Sequence, residues 1–109
     1  MHKKISGKPR MGLIPPAALE EVAKVLTFGT EKYTPHSWMA VPNEYYIDAA
    51  LRHIIEARKG TARDVESKEY HLAHAITNLM FLLEKQVFAG ETSNVMSILE
   101  EAARARNGK

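Results

Sequence analysis

Apolar residues recur along this chain at helical spacing, with no stretch that alternates as a half-buried strand would. Leu19, Val22, Ala23 and Leu26 fall at i, i+3, i+4 and i+7, and Glu20, Glu21 and Lys24 lie opposite them. That pattern predicts a first amphipathic helix, entered through Met11–Pro15 and begun at Pro15-Pro16. Gly29 reads either as its left-handed cap or as a close-packing glycine in a helix continuing to Tyr33. A second helix carries Ile47, Ala50, Leu51 and Ile54 as its stripe, with Asn43 as N-cap and Gly60 as stop. In a third, capped by Ser67, Leu72, Ala75, Ile76, Leu79, Met80, Leu82 and Leu83 cover most of the circumference. A helix that apolar is expected to be buried on nearly all sides. After Gly90, Thr92 or Ser93 caps a last helix with Val95, Ile98, Leu99 and Ala102 inward. The expected fold is all-α, a small bundle of about four helices. A basic tail (1–10) precedes the helical domain (11–90), and a C-terminal helix with its tail (91–109) follows.

Polar residues interrupt this pattern at telling places. His71, His74 and Asn78 stand three and four apart on the third helix, one above the other on a single face. An unpaired buried polar group costs about 1–3 kcal/mol, so these residues either satisfy one another or line a wet site. His53 falls in a second set with Ala50, Ile54 and Ala57, at the edge of the buried face. Short loops make neighbouring helices antiparallel, which brings His53, Asp64, Glu66, His71 and His74 to one end of the bundle. Two imidazoles at i, i+3, with a further imidazole and a carboxylate from adjacent elements, make a mixed nitrogen and oxygen set for a divalent metal. Acids such as Asp64 and Glu66 at a helix start are also commonly structural.

The longest irregular stretch, Thr30–Asn43, holds Trp38 near Lys32, Tyr33 and His36. A loop of that length is usually functional or mobile. This one could stack on a base and hold a phosphate, or Trp38 could anchor it to the core. Lys8 and Arg10 stand just before the ordered part and could reach a phosphate as well. Composition narrows the class: 109 residues, 45% hydrophobic and 26% charged, suit one globular domain. A net charge of +2 gives no argument for duplex nucleic acid. With no cysteine, disulfides and thiolate metal sites are excluded. No apolar run approaches the roughly 20 residues that span a bilayer, and Met1–Arg10 lacks a signal peptide's apolar segment. A cytoplasmic protein is expected, without membrane contact.

The run GLIPPAALEEVAKVLTFGTEKY, then Trp38, then AALRHIIEARKG, then DVESKEYHLAHAITNLMFLLE resembles the phage and bacterial dATP/dGTP diphosphohydrolase domain family. That family is similar to the all-α nucleotide pyrophosphohydrolases of the MazG kind. The resemblance covers about Lys8 to Glu84 and rests on Pro15, Pro16, Gly29, Lys32, Tyr33, Trp38, Arg52, His53, Gly60, Asp64, Ser67, His71, His74 and Asn78. It implies hydrolysis of a deoxynucleoside triphosphate to the monophosphate and pyrophosphate with divalent metal ions, in the host cytoplasm if the chain is phage-encoded. On this reading His53, His71, His74 and Asp64 hold metal, and Asp64 or Glu66 is the general base. Lys32, Arg52, Lys8 and Arg10 neutralise phosphate, Tyr33 and Trp38 pack on the base, and Asn78 orients a ligand or the sugar. One departure stands out. MazG-like enzymes hold magnesium with ExxE and ExxD pairs, where this chain reads His53-Ile-Ile-Glu56 and His71-Leu-Ala-His74. Imidazoles suit manganese, cobalt or zinc better than magnesium. Other readings are a nucleotide-binding module without turnover, and a phage interaction protein whose histidines and Asn78 form a structural network. The apolar third helix, hard to cover within so short a chain, predicts a symmetric homo-oligomer built from dimers.

Overall fold

The computed structural model describes residues 7–106, with side chains as far as residue 89. Among these residues the chain is all-α, with three helices: α1 (Pro16–Gly29), α2 (Asn43–Arg58) and α3 (His71–Arg106). Short 3₁₀ turns at Met11–Leu13 and Ser37–Ala40 precede α1 and α2. The only strand-like pairing among the described residues is an isolated antiparallel bridge between Arg63 and Tyr70. No helix of the described residues is long and apolar enough to cross a membrane.

Local chemistry explains the helix ends, and corrects several expected ones. Pro16 opens α1, where its missing N–H costs nothing. Gly29 ends α1 without a left-handed turn and with open space around it, so it is neither the cap nor the close-packing residue expected. Gly60, at φ 99°, does stop α2 in the left-handed region. Asn43 is the first residue of α2 and caps nothing; its Oδ1 accepts a hydrogen bond from Lys85 Nζ at 2.9 Å. Ser67 is not the cap of the third helix, which starts at His71, because residues 62–71 close into a turn of their own. Nor does Gly90 end that helix. A lone glycine costs about 1 kcal/mol against alanine but leaves the backbone bonds intact, so the third and fourth expected helices are one. The inward stripe expected of Val95, Ile98, Leu99 and Ala102 lies outside the described side chains, as does the tail at residues 1–6 and 107–109.

The antiparallel pair α2 and α3 forms the centre, and α1 packs on α3. The buried residues are Val22 and Val25 on α1, Tyr46, Ala50 and His53 on α2, Ser67 in the loop that follows, and His71, Ala73, Ala75 and Thr77 on α3. Small alanines at the α2–α3 contact let the backbones approach, and the inward histidines come with them. The large aliphatics point the other way. Ile47, Leu51, Ile54 and Ile55 on α2 and Leu72, Ile76, Leu79, Met80 and Leu83 on α3 are all exposed in the single chain, against the expectation of a helix buried all round. His53 thus sits in the middle of the α2 buried face and not at its edge.

Candidate functional site

The loop between α2 and α3 folds back on itself before α3 begins. Asp64 N–H donates to Glu69 O at 2.8 Å, and His71 N–H to Ala62 O at 2.8 Å. Inside this closure the Asp64 side chain builds a turn: its Oδ2 accepts from the backbone N–H of Glu66 (3.1 Å) and of Ser67 (2.8 Å). Lys68 takes the left-handed conformation at φ 67° to complete it. Arg63 fastens the loop, donating from Nη1 to Lys68 O at 2.9 Å with its guanidinium 4.0 Å from the Tyr70 ring centre. Asp64 is therefore held rigidly where α2 ends and α3 starts.

Three imidazoles converge there. His53 Nδ1 and His71 Nδ1 are 2.8 Å apart. The His74 ring stacks on His53 at 4.4 Å and 10°, and its Nε2 lies 2.6 Å from Ser67 Oγ. Ser67 Oγ also accepts from Glu69 N–H at 3.1 Å, which leaves its hydroxyl proton for His74 Nε2. Burial, followed by the neighbouring His74 and His71, pushes His53 down to about 4. His74 is lowered chiefly by burial, which outweighs the opposing pull of Asp64. For Asp64, burial alone would raise the carboxyl; the hydrogen bonds from Ser67 and Glu66 and the nearby His74 win, and it is lowered. His53 and His74 are thus held neutral beside a firmly ionised Asp64, and a neutral imidazole with an ionised carboxylate is what metal ligation needs.

The donor atoms of His53, Asp64 and His71 lie within 4.8 Å of one another. Two nitrogens each about 2.0–2.1 Å from a metal, at angles of 90–110°, stand about 2.8–3.4 Å apart. The His53–His71 pair falls in that range, and with the Asp64 carboxylate the donor set fits a divalent transition metal. The cluster faces a pocket of about 260 Å³ lined by Arg52, His53, Glu56, Thr61, Arg63, Asp64, Val65 and His71.

The other residues singled out from the sequence are placed as follows. Arg52 lines the pocket. His74 is beside the cluster, but its Nε2 is taken by Ser67, and Asp64 supplies the third donor. Glu66 turns outward to pair with Lys32 at 2.6 Å, so neither lines the pocket. Tyr33 is exposed, and Lys8 and Arg10 are exposed ahead of the first turn. Asn78 Nδ2 donates to His74 O within α3 at 2.7 Å. Trp38 stacks on Phe81 at 5.0 Å and 13°, while its carbonyl accepts from Tyr46 Oη at 2.7 Å. Phe81 is ten residues along α3 from His71, about 15 Å at 1.5 Å per residue. The structure makes Trp38 the anchor of its loop. Sequence reasoning missed Arg63, Thr61 and Val65, and read Ser67 only as a cap. The dipeptide Arg63-Asp64 in a closed loop was the available signal for Arg63.

Helices that join imidazoles and a carboxylate beside arginines define a small all-α domain with a polar site. The chain belongs to the family described as dATP/dGTP diphosphohydrolase, N-terminal, which it matches over residues 1–95. It is also similar to a protein of Salmonella phage PMBT28 named dATP/dGTP diphosphohydrolase, 41% identical over 76 residues. That match covers 70% of this chain and 26% of the phage protein, so the chain spans about a quarter of that relative's length. No solved structure matches the chain.

Proposed function

We propose that this chain is the site-bearing domain of a metal-dependent pyrophosphohydrolase, acting in a host cytoplasm on dATP or dGTP to give the monophosphate and pyrophosphate. The observation that carries the reading is the His53–His71 pair at 2.8 Å with Asp64 beside it, facing a pocket that also holds Arg52. His53, His71 and Asp64 would hold the divalent ion, manganese or cobalt suiting two imidazoles better than magnesium. When bound, such an ion polarises the phosphoryl group and makes a bound water more acidic. Asp64, kept ionised by two backbone N–H groups, is a ligand or an acceptor for the attacking water's hydrogen bond. Ser67 and His74 keep the His53 ring in place through the 2.6 Å bond and the stack. Lys32 and Glu66 pair with each other outside this pocket and carry no part of this reading. Incubation with each dNTP and manganese, cobalt or magnesium, with pyrophosphate separated from orthophosphate, tests this. Release of orthophosphate alone, or no turnover with any metal, refutes it.

A second reading has its own observation. Every buried side-chain nitrogen and oxygen among the described residues has a partner, so the histidines also make sense as a closed structural network. Under that reading divalent metal leaves the melting temperature unchanged. The exposed aliphatic stripes of α2 and α3 support a symmetric dimer as the working form, since a face of that size is rarely left to water. Light scattering after size exclusion tests it, and a monomer mass at micromolar concentration counts against it.

A further inference from the structure

The pocket beside the histidines is small and polar. At about 260 Å³ it falls below the roughly 300–1,000 Å³ that enclose a drug-sized ligand, so it takes one part of a nucleotide. Its walls identify which part. Apart from His53 and His71 no ring lines it, and the nearby Tyr70 face is already covered by Arg63. What remains is two arginines, Arg52 from α2 and Arg63 from the loop. The Glu56 carboxylate on the same wall is drawn to Lys59 at 3.3 Å, and that of Asp64 to backbone N–H groups. Glu56 is thus partnered and Asp64 belongs to the histidine cluster, which leaves the arginines as the pocket's positive charges.

Resting on the reading above, we infer that Arg63, together with Arg52 of the same pocket, is the clamp that receives the phosphate chain of the substrate, so that this domain recognises an oligophosphate and not a base. Arg63 suits the role because it is already held. One of its five N–H groups goes to Lys68 O and its flat face to Tyr70, which leaves the remaining donors fixed in direction. A pre-oriented planar fork loses little freedom on binding and matches phosphate oxygens in pairs.

The test titrates inorganic tripolyphosphate into the full chain in the presence of EDTA, by calorimetry. The wild type is expected to bind. Arg63→Gln should weaken binding at least tenfold, Arg63→Lys should lose less, and Arg52→Gln, on a helix surface, should weaken binding without touching the loop. Melting temperatures are recorded in parallel. Unchanged affinity in Arg63→Gln, with or without a lower melting temperature, overturns the clamp and makes Arg63 a loop fastener. Absence of tripolyphosphate binding to the wild type overturns it too. Binding with these losses but no dNTP turnover would leave the clamp standing and sink the hydrolase reading. Turnover with an Arg63→Gln KM equal to wild type would do the reverse.

Discussion

The α2–α3 interface is filled in two different ways along its length. At one end Trp38, Phe81 and Tyr46 pack ring on ring, with Phe81 5.0 Å from Trp38 and 5.1 Å from Tyr46. The tyrosine hydroxyl bonds the Trp38 carbonyl, and Lys85 reaches across to Asn43 and the Val41 carbonyl. At the other end His53, His71 and His74 occupy the equivalent positions with comparable stacking. The carbon rings gain by leaving water. The imidazoles bring lone pairs that must be satisfied, and burial holds His53 and His74 neutral at a cost in acid. The first end stabilises the helix pair, while the second gives up stability to keep nitrogen donors in line beside a carboxylate.

That contrast can be broken in order of effect. Phe81→Ala should cost the most, about 3 kcal/mol or more by chemical denaturation, since it removes the shared partner of Trp38 and Tyr46. A loss below 1 kcal/mol would show that the aromatic end does not hold the helices together.

Acid should act at the other end. The folded pKa of His53 is about 4 against 6.5 when free, so the unfolded chain binds more protons between those values. The contribution of His53 is therefore full well above pH 6.5 and is lost as the pH drops towards 4. The lowered His74 acts in the same direction. Asp64, lowered from 3.8, contributes stability that is lost only further into acid. Urea midpoints measured from pH 7 to 4 check this, and His53→Asn should flatten the slope.

Manganese or cobalt at a hundred times its Kd should stabilise the wild type by about 2.7 kcal/mol, seen as a raised melting temperature. His71→Ala should abolish that rise while leaving helical content intact by circular dichroism. A rise that survives the substitution would return the histidine end to a purely structural role. Smallest of all, Lys32→Ala removes an exposed ion pair to Glu66 and should change stability by less than about 1 kcal/mol. A larger loss in denaturation would mean that the loop carrying Trp38 depends on that pair.

Much of this was legible in the order of residues. Helical periodicity fixed the all-α class, Pro16 and Gly60 marked a start and a stop, and the spacing of His71 and His74 announced a polar site facing His53. These follow from local rules, since capping, backbone freedom and side-chain direction depend on near neighbours in the chain. Which face of each helix turns inward did not follow. Ile47, Leu51 and Leu72 are more hydrophobic than Ala50, Ala73 and Ala75, yet the alanines are buried, because helix pairing rewards close approach as well as apolar area. Asp64 was among the ligands expected from the sequence, but that Ser67 would take His74 Nε2 and leave His53, Asp64 and His71 as the converging donors was equally hidden. It arises from hydrogen bonds among Asp64, Ser67 and Glu69 that close residues 62–71 and hold α3 back to His71, and only the folded loop brings those groups within reach of one another.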